Sequence, residues 1–275
     1  MTREEKLKLI LEKDTYNIAD LVTIVELLRL PGGCPWDMEQ THPSLRRDLI
    51  EETYEVIEAI DNDDPALLRE ELGDLLLQIV MHARIEEEQG RATFADIAGD
   101  ICRKMIHRHP HVFGNAKADS VSEVLSNWEA IKSEEKSRST ATDKLHAIPR
   151  QLPALMRAAK VGKKATGMDF PDAAAAADKL REELCEVEAA GLAGSAEALF
   201  EEVGDLLFSA ANLSRKLGVD PEEALTRATD KFIARFAAVE ALAAAAGEDL
   251  AQMSDEEKEK LWQIAKKQQK NDKNG

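Results

Sequence analysis

The sequence predicts an all-α protein, a tandem repeat of two helical bundles. Three observations carry that reading. Aromatic residues make up only 4% of the chain while hydrophobic residues reach 44%, with Ala, Leu, Glu and Lys abundant. That composition favours helices over a β-sandwich. Apolar residues recur at helical spacing in one segment after another. Residues 51–76, EETYEVIEAIDNDDPALLREELGDLL, also align without a gap with residues 182–207, EELCEVEAAGLAGSAEALFEEVGDLL, at an offset of 131 throughout. At 275 residues the chain suits two modest domains. The predicted division is 1–135, a linker over 136–150, and 151–275 ending in a disordered basic tail.

Charge and cysteine usage narrow the function classes. A net charge of −17 disfavours nucleic-acid backbones and anionic membranes as partners, and fits a soluble cytoplasmic protein. Cys34, Cys102 and Cys185 are odd in number and lack CxxC spacing, so neither disulfides nor zinc is expected. The start, MTREEKLKLI, has no apolar h-region and reads as no signal peptide. No 18-residue apolar run is present to span a membrane.

Residues 1–13 read as a short charged helix. In residues 16–30, Ile18, Leu21, Val22, Val25 and Leu28 mark a helix that Pro31-Gly32-Gly33 ends. The loop Cys34-Pro35-Trp36-Asp37 follows, where Trp36 either caps a core or stacks on a base. Next come two amphipathic helices broken at Asp61–Asp64, with Pro65 in the first turn of the second. Glu86–Glu88, near its end, reads as a solvated face. Residues 93–108 form another helix carrying Lys104 and Arg108 at i, i+4, a pair suited to a phosphate or to surface ion pairing. His107, His109 and His111 lack a fourth ligand at zinc spacing and read as turn and surface groups. Residues 119–136 form one more helix around Trp128 and Ile131.

The second unit begins near Pro153. ALMRAAKVGKKATGMDF there is more basic than its counterpart, with Phe170 in the aromatic place. After the second hairpin, Asp220-Pro221-Glu222 starts a helix with Lys231 and Arg235, which echo Lys104 and Arg108 at an offset of 127. A final helix carries Trp262 between Leu261 and Ile264, where core packing is the default reading. KKQQKNDKNG reads as disordered.

The chemistry is concentrated in the hairpins. Glu55 and Glu71 are each eight positions from Asp63, and Glu52 and Asp74 are each eleven from it. Within each helix the acids are spaced i, i+3 and share a face. An antiparallel hairpin therefore brings four carboxylates to one patch, which needs a cation to offset their repulsion. Oxygen-only ligands select a hard ion, Mg2+ before Ca2+ or Mn2+. The repeat supplies the same set in Glu183, Glu186, Glu202 and Asp205. The bland alternative is a pair of ordinary charged hairpins, one duplicated from the other. Gly73 and Gly204, between the paired acids, suggest close approach of a partner helix. A di-iron bundle would need Glu-x-x-His, which neither hairpin contains. No GxxxxGK[ST] occurs, so this is no P-loop enzyme.

EExxE followed by ExxD on paired helices, the loop GGCPWDMEQT, the run RHPHVFG and the second hairpin ending EEVGDLLF together resemble the two-domain bacterial MazG family. The likeness runs from about Tyr16 to about Lys267. It implies an all-α nucleoside triphosphate pyrophosphohydrolase that uses Mg2+, with Mn2+ as a second option. The products would be a nucleoside monophosphate and pyrophosphate, by attack at the α phosphorus, and base preference would be broad, ATP included. It also implies association through helices as a homodimer or higher homo-oligomer. In the family the second domain resembles the catalytically competent one. The metal ligands would be Glu52, Glu55, Glu71 and Asp74, and Glu183, Glu186, Glu202 and Asp205. Lys231 and Arg235 would hold the triphosphate with Trp262 against the nucleotide; Lys104, Arg108 and Trp36 are the substrate-binding candidates of the first unit. Glu182 or Glu201 would orient or deprotonate the attacking water. GMDFPD stands where relatives carry a GFDW-like stretch, so base preference at the second site stays open. A different division of labour makes one unit, the first, a dimerisation or regulatory module.

Overall fold

The computed structural model describes residues 1–135, 140–165 and 167–272, and among them every regular element is a helix. Two units emerge, Met1–Lys136 and Ser137–Gly275. No helix is long and apolar enough to cross a membrane among the described residues.

The first unit comprises α1 (Arg3–Leu11), α2 (Ile18–Arg29), α3 (Pro35–Glu39), α4 (Arg46–Asp61), α5 (Pro65–Glu88), α6 (Phe94–Arg108), α7 (Pro110–Phe113) and α8 (Val121–Glu135). Capping boxes at Thr2/Glu5, Asn17/Asp20 and Thr93/Asp96 satisfy the first free N–H groups of α1, α2 and α6. α2 packs on α5. Val25, Leu45, Val80, Met81 and Ile85 form the core there, flanked by Leu21, Val22, Leu77 and Phe94. The ion pairs Lys6–Glu26 and Lys13–Asp20 strap α1 and the turn after it to α2.

One local expectation changes. The loop at Cys34–Asp37 contains the one-turn helix α3, begun by Pro35. Glu86–Glu88 is a solvated face held by ion pairs: Glu87 and Glu88 are exposed and Glu86 is half-buried. Glu86 pairs with His42 (2.7 Å) and Arg91, Glu87 with Arg84 (3.0 Å), and Glu88 with Arg29 (2.8 Å) and Arg84 (3.0 Å). α5 packs against α2 and α6. Its last turn therefore meets cations from α2 and from the loops at His42 and Arg91. The Arg91 hydrogen bond, ahead of its charge and of His42, pulls the Glu86 carboxyl down to about 2.

The second unit comprises α9 (Ala141–His146), α10 (Ala154–Lys164), α11 (Ala173–Ala193), α12 (Ala196–Lys216), α13 (Pro221–Ala245), a 3-10 turn over Leu250–Gln252, and α14 (Asp255–Asp272). α11 and α12 form a hairpin, α10 lies on α12, and α13 packs on α14. Small residues occupy many buried positions: Ala176, Ala190, Ala211, Ala243 and Ala265. Helices can approach closely across them.

The stretch read as a linker contains α9, which opens on a Thr140/Asp143 capping box and belongs to the second unit; residues 136–139 lie outside the described residues. The stretch read as a disordered tail continues α14 through Asp272. Trp262 and buried Ala265 anchor that helix on α13, which the polarity of the tail concealed. Residues 273–275 lie outside the described residues.

The two hairpin turns share more than length. Asp63 adopts φ 51° and Gly194, 131 positions later, adopts φ 72°. Each precedes a side-chain N-cap, Asp64 for α5 and Ser195 for α12. A left-handed residue followed by a cap reverses the chain, and glycine takes the left-handed conformation without steric cost while Asp tolerates it. Asp63→Gly should therefore stabilise by about 0.5 kcal/mol, and Gly194→Ala destabilise by about 1 kcal/mol. Urea denaturation midpoints at constant m-value read both.

Candidate functional site

α4 carries Glu52 and Glu55, and α5 carries Glu71. One carboxylate oxygen from each lies within 4.8 Å of the other two. α11 and α12 repeat the arrangement with Glu183, Glu186 and Glu202, again within 4.8 Å of one another. The hairpin turn fixes this register, because the acids count out equally from Asp63 and Gly194 on both sides. Asp74 and Asp205 do not join these groups of three. Each lies one helical turn further along α5 or α12, on a side chain one methylene shorter than Glu. Asp74 still contributes electrostatically. Burial first, then the charges of Asp74, Glu55 and Glu71, holds the Glu52 carboxyl above the usual carboxylate range. Burial followed by Glu55 and Asp74 does the same to Glu71.

The second cluster is more enclosed. Glu183 is only 4% exposed, and its Oε2 is buried with no hydrogen-bond partner among the described residues. Its Oε1 pairs with Lys179 Nζ at 2.8 Å, and the same ammonium reaches Glu182 at 2.7 Å. Glu182 and then Glu183 push the Lys179 ammonium up. Burial, then the neighbouring Glu183, pushes the Glu186 carboxyl up. An orphaned carboxylate oxygen is costly in a protein interior. Glu183, Glu186 and Glu202 together present an all-oxygen donor set, and a hard divalent cation fits that set. The first unit has Asp48 where the second has Lys179, so that position supplies its cluster with no cation.

The other predicted site residues divide. Arg235 lies over the Trp262 ring, 5.0 Å from its centroid, and its Nε donates to Gln269 Oε1 at 3.3 Å. Phe232 meets the same indole at 5.1 Å. Lys231 and Lys104 are exposed and make no ion pair among the described residues. Arg108 is buried, with its guanidinium 5.8 Å from the centroid of Trp128. Trp36 is 58% exposed and offers its carbonyl to Gln40. Glu182 is engaged by Lys179, while Glu201 is exposed with no partner among the described residues.

Gly73 and Gly204 do not serve the close packing expected of them. A Cβ at either would meet open space within the chain, because neither faces the opposite helix of its hairpin. Sequence reasoning passed over Lys179 and took Trp128 only as the centre of a helix. Lys179 carried a usable signal, its i, i+4 spacing to Glu183. Trp128 carried a weaker one, an aromatic on the helix that follows a Lys/Arg pair.

A chain that folds the same acidic helix hairpin twice is a tandem all-α protein of the carboxylate-cluster class. Residues 40–113 and 172–239 match the MazG nucleotide pyrophosphohydrolase domain. The chain belongs to the MazG family. It is 45% identical over 254 residues to the nucleoside triphosphate pyrophosphohydrolase of Escherichia coli K12, an alignment covering 90% of this chain and 97% of that protein. It is 44% identical over 249 residues to the nucleoside triphosphate pyrophosphohydrolase/pyrophosphatase MazG of Thermotoga maritima, covering 90% and 94%. Uncharacterized protein YabN of Bacillus subtilis is 44% identical over 247 residues, covering 89% of this chain and 50% of that protein.

Proposed function

We propose that the protein hydrolyses nucleoside triphosphates to nucleoside monophosphate and pyrophosphate, with Mg2+ bound at the carboxylate clusters and the second unit as the catalytic one. The observation that carries this reading is the buried, unpartnered Oε2 of Glu183 beside Glu186 and Glu202. The relatives named as nucleoside triphosphate pyrophosphohydrolases over nearly their whole length support the substrate class.

Glu183, Glu186 and Glu202 would hold the ion, with Asp205 one turn away; Mn2+ satisfies the same donors. In the first unit Glu52, Glu55 and Glu71 take those roles, with Asp74. The bound cation would neutralise charge on the phosphate oxygens. Lys231 and Arg235 stabilise the charge that develops on the departing pyrophosphate. Trp262, backed by Arg235, offers the base a stacking face. A flat aromatic face discriminates weakly among bases, which supports a broad preference with ATP included. Glu201 is the better base for the attacking water, because Lys179 already holds Glu182.

We place the protein in the cytoplasm with neither nucleic acid nor membrane as partner, on the strength of its charge of −17. Exposed apolar stripes support a homodimer or larger assembly. Ile50, Tyr54 and Ile57 line one face of α4, and Leu72, Leu76 and Ile79 one face of α5. Phe200, Val203 and Leu207 do so on α12. Burying such stripes against a second copy is favourable at ~25 cal/mol per Å2.

A panel of triphosphates incubated with Mg2+ tests the activity. Monophosphate and pyrophosphate should appear in equal amounts. Diphosphate with orthophosphate, or no turnover of any triphosphate, would refute the reading. Asp48 in place of Lys179 favours an accessory role for the first unit. In the full chain, Glu52→Ala with Glu55→Ala should then leave turnover largely intact.

A further inference from the structure

The second unit places an exposed lysine, an arginine one turn later and a tryptophan from the next long helix in one group: Lys231, Arg235 and Trp262. The first unit builds the same group from residues that the acidic repeat does not cover. Lys104 and Arg108 stand on α6, and α8 brings Trp128 against Arg108. Lys132, one turn beyond Trp128, also lies over the indole, 5.2 Å from its centroid. The spacing from arginine to tryptophan differs, 20 residues in one unit and 27 in the other, so no fixed offset reveals the correspondence. The contact itself does.

Two features separate Trp128 from an ordinary core tryptophan. Its Nε1 is buried with no acceptor among the described residues. Leaving such a donor unpaired is costly, and a ligand oxygen or a base acceptor would satisfy it. Cations also crowd the ring in a chain that carries 17 net negative charges. An indole ringed by cations suits a ligand with a flat base and an anionic tail. Trp36 shows none of this. It is 58% exposed, and no cation or ring contact to it is recorded among the described residues.

We propose that the first unit holds a second nucleoside triphosphate site, in which Trp128 rather than Trp36 meets the base and Lys104 and Arg108 meet the phosphates. The inference rests on reading Lys231, Arg235 and Trp262 as the nucleotide-binding group of the second unit. It holds whether or not the first unit turns substrate over, since binding alone would let it sense nucleotide.

Calorimetry on the full chain with Mg2+ and α,β-methylene-ATP tests it. Wild type should bind two nucleotides per chain. Lys231→Ala with Trp262→Ala should leave one. Adding Lys104→Ala and Trp128→Ala should leave none, whereas adding Trp36→Ala instead should still leave one. Wild type binding one nucleotide, lost with Lys231→Ala/Trp262→Ala, would overturn the second site while sparing the reading of the catalytic unit. Loss of first-unit binding through Trp36→Ala would overturn the assignment to Trp128. Two nucleotides still bound by Lys231→Ala/Trp262→Ala would sink the reading of the second unit; one removed by Lys104→Ala/Trp128→Ala would still support the first-unit site. Should Trp128→Ala unfold the unit, the exposed Lys104→Glu serves instead. With circular dichroism unchanged, it should weaken first-unit binding at least about 10-fold. Unchanged affinity would count against the site.

Discussion

Replacing Glu183 with alanine should lower pyrophosphate release by at least about 100-fold, more than loss of an outer-shell residue at a metal site usually costs. Glu183 is the most enclosed of the six clustered glutamates, with one oxygen on Lys179 and the other unpaired. Its effect on stability should run the other way. Without metal, Glu183→Gln removes a buried charge from among Glu186 and Glu202, and Lys179 keeps Glu182 as a partner. The metal-free variant should therefore melt at the wild-type temperature or above it. Added Mg2+ should stabilise wild type by ~2.7 kcal/mol at 100 times the dissociation constant. Glu183→Gln should lose most of that gain. Thermal melts with and without Mg2+, read beside turnover, separate a ligand from a structural residue. A structural Glu183 would lower the metal-free melt and leave the Mg2+ gain intact. Full turnover by Glu183→Ala, with none by Glu52→Ala, would move catalysis to the first unit.

The hairpins were legible because their information is local. Spacing of i, i+3 within a helix and equal counts from a turn place side chains without any knowledge of tertiary packing. Asp74 and Asp205 show where counting stops: equal height does not give equal reach to a shorter side chain. The turns were legible too, but only to a reader asking which residues accept a left-handed backbone. Asp63 and Gly194 answer that question, although DNDDP and LAGSA look unrelated. Helix α9 was announced by Thr140 and Asp143 at capping-box spacing, inside a stretch whose polarity suggested a linker. The packing of Arg108 under Trp128 was not legible. It depends on how α6 and α8 meet, and the intervening chain gives no periodic signal for that. The His42 partner of Glu86 and the Arg29 partner of Glu88 were hidden for the same reason, being distant in sequence, whereas Arg91 and Arg84 lie within five residues of those acids.

The second large effect falls on stability, at Gly162. A Cβ there would lie 1.7 Å from Asn212 Oδ1, on a side chain only 1% exposed. Asn212 cannot simply turn aside. Its Nδ2 donates to the Phe208 carbonyl at 3.0 Å, and its Oδ1 accepts from Arg215 Nη2 at 3.1 Å. Arg215 in turn holds Asp169 together with Lys216, at 2.7 Å from the latter. The Arg215 hydrogen bond, then Lys216, pulls the Asp169 carboxyl down to about 2. A methyl at Gly162 must push α10 off α12 or break this chain of contacts. Gly162→Ala should therefore cost about 3 kcal/mol, an overpacking penalty joined to a lost buried hydrogen bond. Asn212→Ala alone should also destabilise, because it strips an acceptor from Arg215. The double variant is the decisive measurement. The alanine methyl at 162 would enter space that Asn212 has vacated, so the combined loss should fall short of the sum by about 1–3 kcal/mol. Strict additivity in denaturant unfolding would mean that the approach of α10 to α12 is not what excludes a side chain at 162.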